Sequence, residues 1–165
     1  MERLWAGWRS AYVGGLDGRP PTGEGSLFER ILRSGLPDDE TYVVWRGEQC
    51  SALLNAYPYT SGHLMVLPNR AIAELDDLSE AEADELWAAT RRAVRAVRAA
   101  YRPEGVNVGL NLGLAAGAGV PDHLHVHVLP RWSGDTNFTT AVAEARVLPE
   151  PLGVSWERLV AAWPG

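Results

Sequence analysis

The run His123-Leu124-His125-Val126-His127-Val128-Leu129 alternates imidazole and aliphatic side chains without a break. Only an extended strand gives such a run two coherent faces, because strand side chains point alternately to opposite sides whereas a helix scatters them around its axis. A strand over His123–Leu129 therefore turns three imidazoles one way, roughly 6.7 Å apart at Cβ, and sends Leu124, Val126 and Val128 into a core. The chain must build a sheet with one apolar face and one face bearing histidines. Such a row adds little stability, since imidazoles repel when charged and need partners when buried. Three uses compete for it. Alternate strand positions supply two or three ligands to an open metal site; a neutral central imidazole attacks a substrate that its neighbours hold; or three satisfied buried histidines stand in line.

The remaining pattern supplies the rest of an α+β fold, a five-stranded antiparallel sheet with one long helix and short terminal helices. Ser26 caps a short helix over Leu27–Arg33, stopped by Gly35 and Pro37. Strands are expected at Thr41–Trp45, Cys50–Asn55, His63–Leu67, Val106–Leu112 and His123–Leu129, with Arg46-Gly47-Glu48 as a hairpin turn. The long helix runs from Ser79, which pairs with Glu82 in a capping box, to about Arg102, where Pro103 and Gly105 end it. Its acidic start and arginine-rich end complement the helix dipole. A last helix covers Trp156–Trp163. Length predicts one domain over 1–165. Residues 1–25 form an N-terminal arm and loop carrying Trp5, Trp8 and Tyr12, and 146–165 form a C-terminal tail.

Composition closes several alternatives. No apolar run is long enough to span a membrane, and the first residues carry no apolar signal segment. The net charge of −6 argues against nucleic acid as a partner. All fifteen basic residues are arginine, which removes any mechanism that needs a lysine. The single cysteine, Cys50, fits a reducing cytoplasm.

Just before the histidine row lies Asn111-Leu112-Gly113-Leu114-Ala115-Ala116-Gly117-Ala118-Gly119, whose small residues let backbone N–H groups approach an anion. With only Asp122 beside the row and no cysteine near it, a closed metal site lacks a fourth ligand, while an open three-histidine site remains.

The row resembles the His-φ-His-φ-His-φ-φ signature of the histidine triad family, which acts on nucleotide α-phosphates. Asn55 and the run Gly62-His63-Leu64-Met65-Val66-Leu67-Pro68 resemble that family's ribose-binding residue and upstream strand. Met1–Arg9 and Pro130-Arg131-Trp132-Ser133-Gly134-Asp135-Thr136-Asn137-Phe138 resemble its bacterial branch of diadenosine tetraphosphate phosphorylases. The resemblance implies a HIT-like fold and a nucleotidyl-histidine intermediate formed on His125. It implies that His123 and His127 hold phosphate oxygens and assist the leaving group, and that Asn111 with the backbone at Gly119 stabilises charge on phosphorus. Trp132 and the Gly117–Gly119 loop would shape the place of a second phosphate, Leu27, Phe28 and Ile31 the base cleft, and Asn55 the ribose contact. His63 would support the triad. The partners implied are the nucleotide, inorganic phosphate where the reaction is phosphorolysis, and further copies of the chain as a dimer or larger homo-oligomer.

Many bacterial relatives also carry Cys-x-x-Cys before the first helix and an Arg-His pair after the upstream strand, which bind structural zinc with a triad histidine. Here Ser26, Glu29 and Arg70-Ala71 stand at those positions. Serine and alanine are poor zinc ligands, so no structural metal or other bound cofactor is expected, a divalent cation entering only with the nucleotide. Two alternatives to a dinucleotide hydrolase or phosphorylase stay open. One passes the nucleotide to another acceptor or uses a specialised nucleotide; the other binds nucleotide without turnover.

Overall fold

The computed structural model describes residues 24–135 and 150–165. Trp5, Trp8, Tyr12, most of the Gly14–Gly25 loop, Asn137 and Phe138 lie outside the described residues. In chain order the elements are α1 (Leu27–Leu32), α2 (Asp38–Thr41), β1 (Val43–Arg46), β2 (Cys50–Leu54), β3 (Leu64–Pro68), α3 (Glu80–Tyr101), β4 (Gly105–Leu110), β5 (Val126–Arg131) and α4 (Leu152–Ala162), with one-turn 3-10 helices at Leu75–Asp77 and Leu114–Ala116. The five strands form one antiparallel sheet in the order β1-β2-β3-β5-β4. Among the described residues no helix is long and apolar enough to cross a membrane.

Each face of the sheet has its own apolar cluster. On one side the small residues Ala89, Ala93 and Ala96 let α3 lie close on Leu64, Val66, Leu124, Val126 and Val128, with Leu152 and Leu159 of α4 completing the layer. On the other, Phe28 and Ile31 of α1 cover Val43, Leu53, Met65 and Leu67. The alternation in the histidine row thus separates the faces as expected. Each buried Val or Leu contributes about 1.5–3 kcal/mol, which offsets the cost of holding imidazoles out of water opposite them.

The boundaries of α3 follow its caps. Ser79 and Glu82 make a reciprocal capping box, and Arg102 in the left-handed region ends the helix. The Arg70 guanidinium pairs with Glu82 at 2.6 Å and, with the cap amides, holds its carboxyl at about 2. That pair ties the helix start to the chain leaving β3.

Three elements differ from expectation. The strand expected from Thr41 begins at Val43, because Pro37 and the acidic Asp38-Asp39-Glu40 start a short helix that Tyr42 closes with a left-handed backbone. The last helix begins at Leu152 rather than Trp156, since Leu152, Ser155 and Leu159 share its buried face. Within it the Trp156 indole N–H donates to the Val43 carbonyl at 2.8 Å. The third difference bears on the site. Ladder pairing of β5 starts at Val126, so His123 and His125 precede the strand. Leu124 N–H instead donates to Ile72 O at 2.7 Å and His123 N–H to Val120 O at 3.3 Å. The row keeps its alternation but is held partly by loops.

Gly62, next to His63, has φ +76°, and a Cβ there would meet the Tyr101 ring at 2.4 Å. Strain and overpacking together predict that Gly62→Ala loses about 2–4 kcal/mol. A thermal or urea midpoint equal to wild type would show that the Tyr101 contact yields.

Candidate active site

Six side chains, Phe28, Tyr59, His63, His123, His125 and His127, meet on the α1 face of the sheet from positions far apart in sequence. Antiparallel pairing sets Met65 opposite His127, and Leu110 opposite Val126. Asn111 follows β4 directly, one residue past the last paired position. The Phe28 ring stands edge-on to His123 and His125, with centroids 5.4 and 5.2 Å away. Tyr59 flanks the other end, 4.7 Å from His63 and 5.9 Å from His127. His125 and His127 lie edge-to-face at 4.8 Å.

The partners of the four imidazoles determine their tautomers. His125 Nδ1 lies 2.9 Å from the His123 carbonyl, which only accepts, so Nδ1 carries the proton and Nε2 a lone pair. His123 Nε2–H donates to Pro68 O at 2.8 Å, leaving Nδ1 to accept the Ser26 hydroxyl at 2.5 Å. His63 Nδ1 accepts the Tyr59 backbone N–H at 3.2 Å, so its Nε2–H donates to His127 Nδ1 at 2.9 Å. His127 therefore carries its proton on Nε2. Among the described residues neither the Nε2 lone pair of His125 nor the Nε2–H of His127 has a partner.

Burial lowers the proton affinity of all three triad imidazoles. For His127 desolvation, then the charge of His125, pushes the value down to about 4. For His123 and His125 the first cause is again desolvation, partly opposed by the backbone carbonyl each ring meets. The unfolded chain has ordinary imidazoles near 6.5 and takes up protons there that the folded chain refuses. Their contribution to stability is thus complete above pH 6.5 and lost as pH falls toward 4. Urea midpoints measured between pH 7.5 and 4.5 should decline below 6.5, before carboxylates titrate; a flat profile would contradict neutral buried imidazoles.

The expected site residues separate into groups. His125 and His127 keep 5% and 7% exposure, whereas His123 and His63 have none. With both nitrogens committed to Ser26 and Pro68, His123 has no donor left for a phosphate oxygen. In this arrangement His123 is fully buried, with Ser26 and Pro68 as its ring partners. His63 lies where a supporting histidine was expected. Phe28 and Ile31 wall the site, with Leu27 partly buried at their edge. Asn55 Oδ1 accepts Tyr57 N–H at 2.8 Å and Asn55 N–H donates to His63 O at 3.0 Å, so Asn55 braces the loop before His63.

The glycine loop also divides. Gly117 takes φ +89° and its N–H donates to Leu114 O at 3.0 Å, while Ala116 and Ala118 N–H both reach Gly113 O. Gly117 thus shapes the turn and has no amide to offer an anion. Gly119 N–H has no backbone partner among the described residues, and Val120 packs beside Phe28 and Ile31. Trp132 is not brought to the triad of its own chain. It follows the far end of β5 and packs edge-on against Tyr101, which belongs to the α3 side of the sheet.

Tyr59 was missed in the sequence. The only signal was its place in an aromatic loop, Tyr57-Pro58-Tyr59, four residues before His63.

The arrangement offers a lone pair at His125 Nε2 and an N–H donor at His127 Nε2 side by side, between an apolar wall and a glycine loop. That is equipment for in-line attack on an electrophilic centre whose leaving oxygen gains charge.

Comparisons with known proteins agree with this geometry. The HIT domain model matches residues 37–134. A Mycobacterium tuberculosis (strain ATCC 25618 / H37Rv) protein named AP-4-A phosphorylase is 42% identical over 165 residues, covering 99% of this chain and 85% of that protein. The Schizosaccharomyces pombe asymmetrical bis(5'-nucleosyl)-tetraphosphatase is 33% identical over 93 residues, 56% of this chain and 50% of its own length. Among solved structures, a zinc-bound histidine triad family protein from Mycobacterium smegmatis superposes with a TM-score of 0.66 at 29% identity, covering 83% of this chain and 91% of that one.

Proposed function

The chain belongs to the HIT domain family, and on that premise we propose that it cleaves dinucleoside polyphosphates of the diadenosine tetraphosphate type at an α-phosphate through a nucleotidyl-histidine on His125. The observation that carries this is the tautomer pair: an unprotonated Nε2 on His125 beside a protonated Nε2 on His127.

In the first step the His125 lone pair forms a P–N bond while the bond from α-phosphorus to the bridging oxygen breaks, its electrons leaving with the polyphosphate. His127 Nε2–H hydrogen-bonds that oxygen as charge builds, without giving up its proton, because His127 is a neutral imidazole and losing that proton would leave an imidazolate. Asn111, directly after β4, and the Gly119 amide receive the non-bridging oxygens. The base lies against Phe28, Ile31 and Leu27, and Asn55 at the end of β2 faces the ribose.

In the second step an acceptor displaces His125 from phosphorus and restores its lone pair. None of the triad nitrogens is then a free base for water: His125 Nε2 is bonded to phosphorus, His127 Nε2 is protonated and His123 is fully engaged. Inorganic phosphate arrives already ionised and needs no base, which favours phosphorolysis, in line with the relative named as a phosphorylase. The test is turnover of diadenosine tetraphosphate with and without phosphate. Phosphate-dependent release of ADP with ATP supports phosphorolysis; AMP with ATP at an undiminished rate without phosphate makes it a hydrolase. No cleavage in either case would reject the enzyme altogether and leave a nucleotide-binding protein.

We also infer that the chain carries no structural zinc. Ser26 Oγ is occupied by His123, Glu29 Oε2 by the Ser26 amide, and Ala71 has no donor atom. Among the described residues no three metal-ligating side chains cluster. Stoichiometric zinc in protein purified without added metal would overturn this. A homo-oligomer is supported by β4, an outer strand exposed at Asn107, Val108 and Gly109, and by Trp87, which stands 63% exposed on α3. Sedimentation as a monomer would refute it. The single cysteine and net charge support a cytoplasmic protein with no nucleic-acid partner.

A further inference from the structure

His123 spends both ring nitrogens on protein partners. Its Nδ1 accepts the hydroxyl of Ser26, 97 residues away, at 2.5 Å; its Nε2–H reaches Pro68 O at the end of β3. Its backbone carbonyl accepts His125 Nδ1–H, the bond that leaves the reactive lone pair on His125 Nε2. His123 thus joins the start of α1, the end of β3 and the nucleophile.

Ser26 is itself held in place. Its Oγ accepts Glu29 N–H at 3.2 Å and its own N–H donates to Glu29 Oε2 at 3.0 Å, so the capping box of α1 presents the hydroxyl to His123. Both residues are buried, at 3% and 8% exposure. The N–H groups of Ser26 and Ala71 and the Arg33 guanidinium hold the Glu29 carboxyl ionised. An ordinary cap needs only a side-chain acceptor for the helix amides. Here the hydroxyl proton has a second task. The same helix carries Phe28, which touches both His123 and His125, so one short element supplies a pocket wall and a constraint on the nucleophile.

We propose that Ser26, presented by Glu29, is a positioning residue for His125: its hydroxyl fixes His123 as the Nε2–H tautomer and so holds the carbonyl that orients the nucleophile. This rests on His125 being the attacking group. Without the hydroxyl, His123 Nδ1 is buried with no donor facing it, and the ring can flip or exchange tautomers. Its carbonyl then no longer has one position, and His125 Nδ1–H loses a fixed acceptor.

The discriminating variant is Ser26→Gly, because glycine is a tolerated N-cap that leaves the helix nearly as stable. We expect kcat to fall about ten- to a hundred-fold, the size of effect found for outer partners that orient reactive imidazoles, with KM nearly unchanged. Ser26→Thr, which keeps the hydroxyl, should restore most of it. Long-range proton–nitrogen NMR of the imidazoles reads the same point without substrate. Wild type should show His123 as Nε2–H and His125 as Nδ1–H, and Ser26→Gly should broaden or mix both. Unchanged ring spectra and kcat in Ser26→Gly would overturn the proposal while leaving His125 as nucleophile. A His125→Ala protein with full activity would instead overturn the mechanism, whereas the spectra would still report whether Ser26 sets the tautomers.

Discussion

His125→Ala should lower turnover of diadenosine tetraphosphate by about four to six orders of magnitude, the scale of losing a covalent nucleophile. No neighbouring imidazole can take its place. His123 is enclosed by Ser26 and Pro68, and His127 presents a proton rather than a lone pair. The folded state should change little, since the lost ring makes one backbone hydrogen bond and edge contacts with Phe28 and His127. The measurement has two parts. Steady-state rates give the size of the loss, and acid-quenched protein from a labelled substrate should carry nucleotide in wild type and none in the variant. Full turnover by His125→Ala, or equal labelling of the two proteins, would end the covalent mechanism.

His127→Ala should cost about 10²–10³ in kcat, the usual effect of removing one donor to a developing oxyanion. Its signature is a dependence on the leaving group. A phenyl ester of adenosine 5'-phosphate concentrates charge on its departing oxygen and should suffer most. A dinitrophenyl ester spreads that charge over its ring and should lose less than about tenfold, because a weakly basic oxygen gains little from a hydrogen bond. An equal loss on both esters would mean that His127 supports the geometry without touching the leaving oxygen. His63 belongs to the same test. Its Nε2–H holds His127 in the useful tautomer, so removing it should reproduce the leaving-group pattern in weaker form.

Much of the fold could be read directly. Capping boxes at Ser26 and Ser79 and the alternation at His123–Leu129 are local signals, set by residues three apart or two apart. They placed α1, α3 and the two faces of β5 to within a few residues. The misses have local causes of a subtler kind. The turn of helix at Asp38–Thr41 is shorter than any periodic pattern can reveal, and β5 begins late because its neighbours, not its own residues, decide where ladder bonds start. The candidate site was legible as chemistry but not as roles. Three imidazoles in line announce a reactive face. Nothing in their spacing says that His123 is sealed, that Gly117 spends its amide on Leu114, or that Trp132 turns toward Tyr101.

By itself, then, the sequence determined which side chains share a face, because backbone geometry enforces alternation whatever surrounds it. Only the tertiary structure decided what each imidazole does. A ring's tautomer depends on what meets its nitrogens, and those partners are the Ser26 hydroxyl, the Pro68 and His123 carbonyls and the Tyr59 amide. Three of the four, Ser26, Tyr59 and Pro68, lie far from the histidine row in sequence and are brought beside it by the packing of α1 and by the order of strands in the sheet.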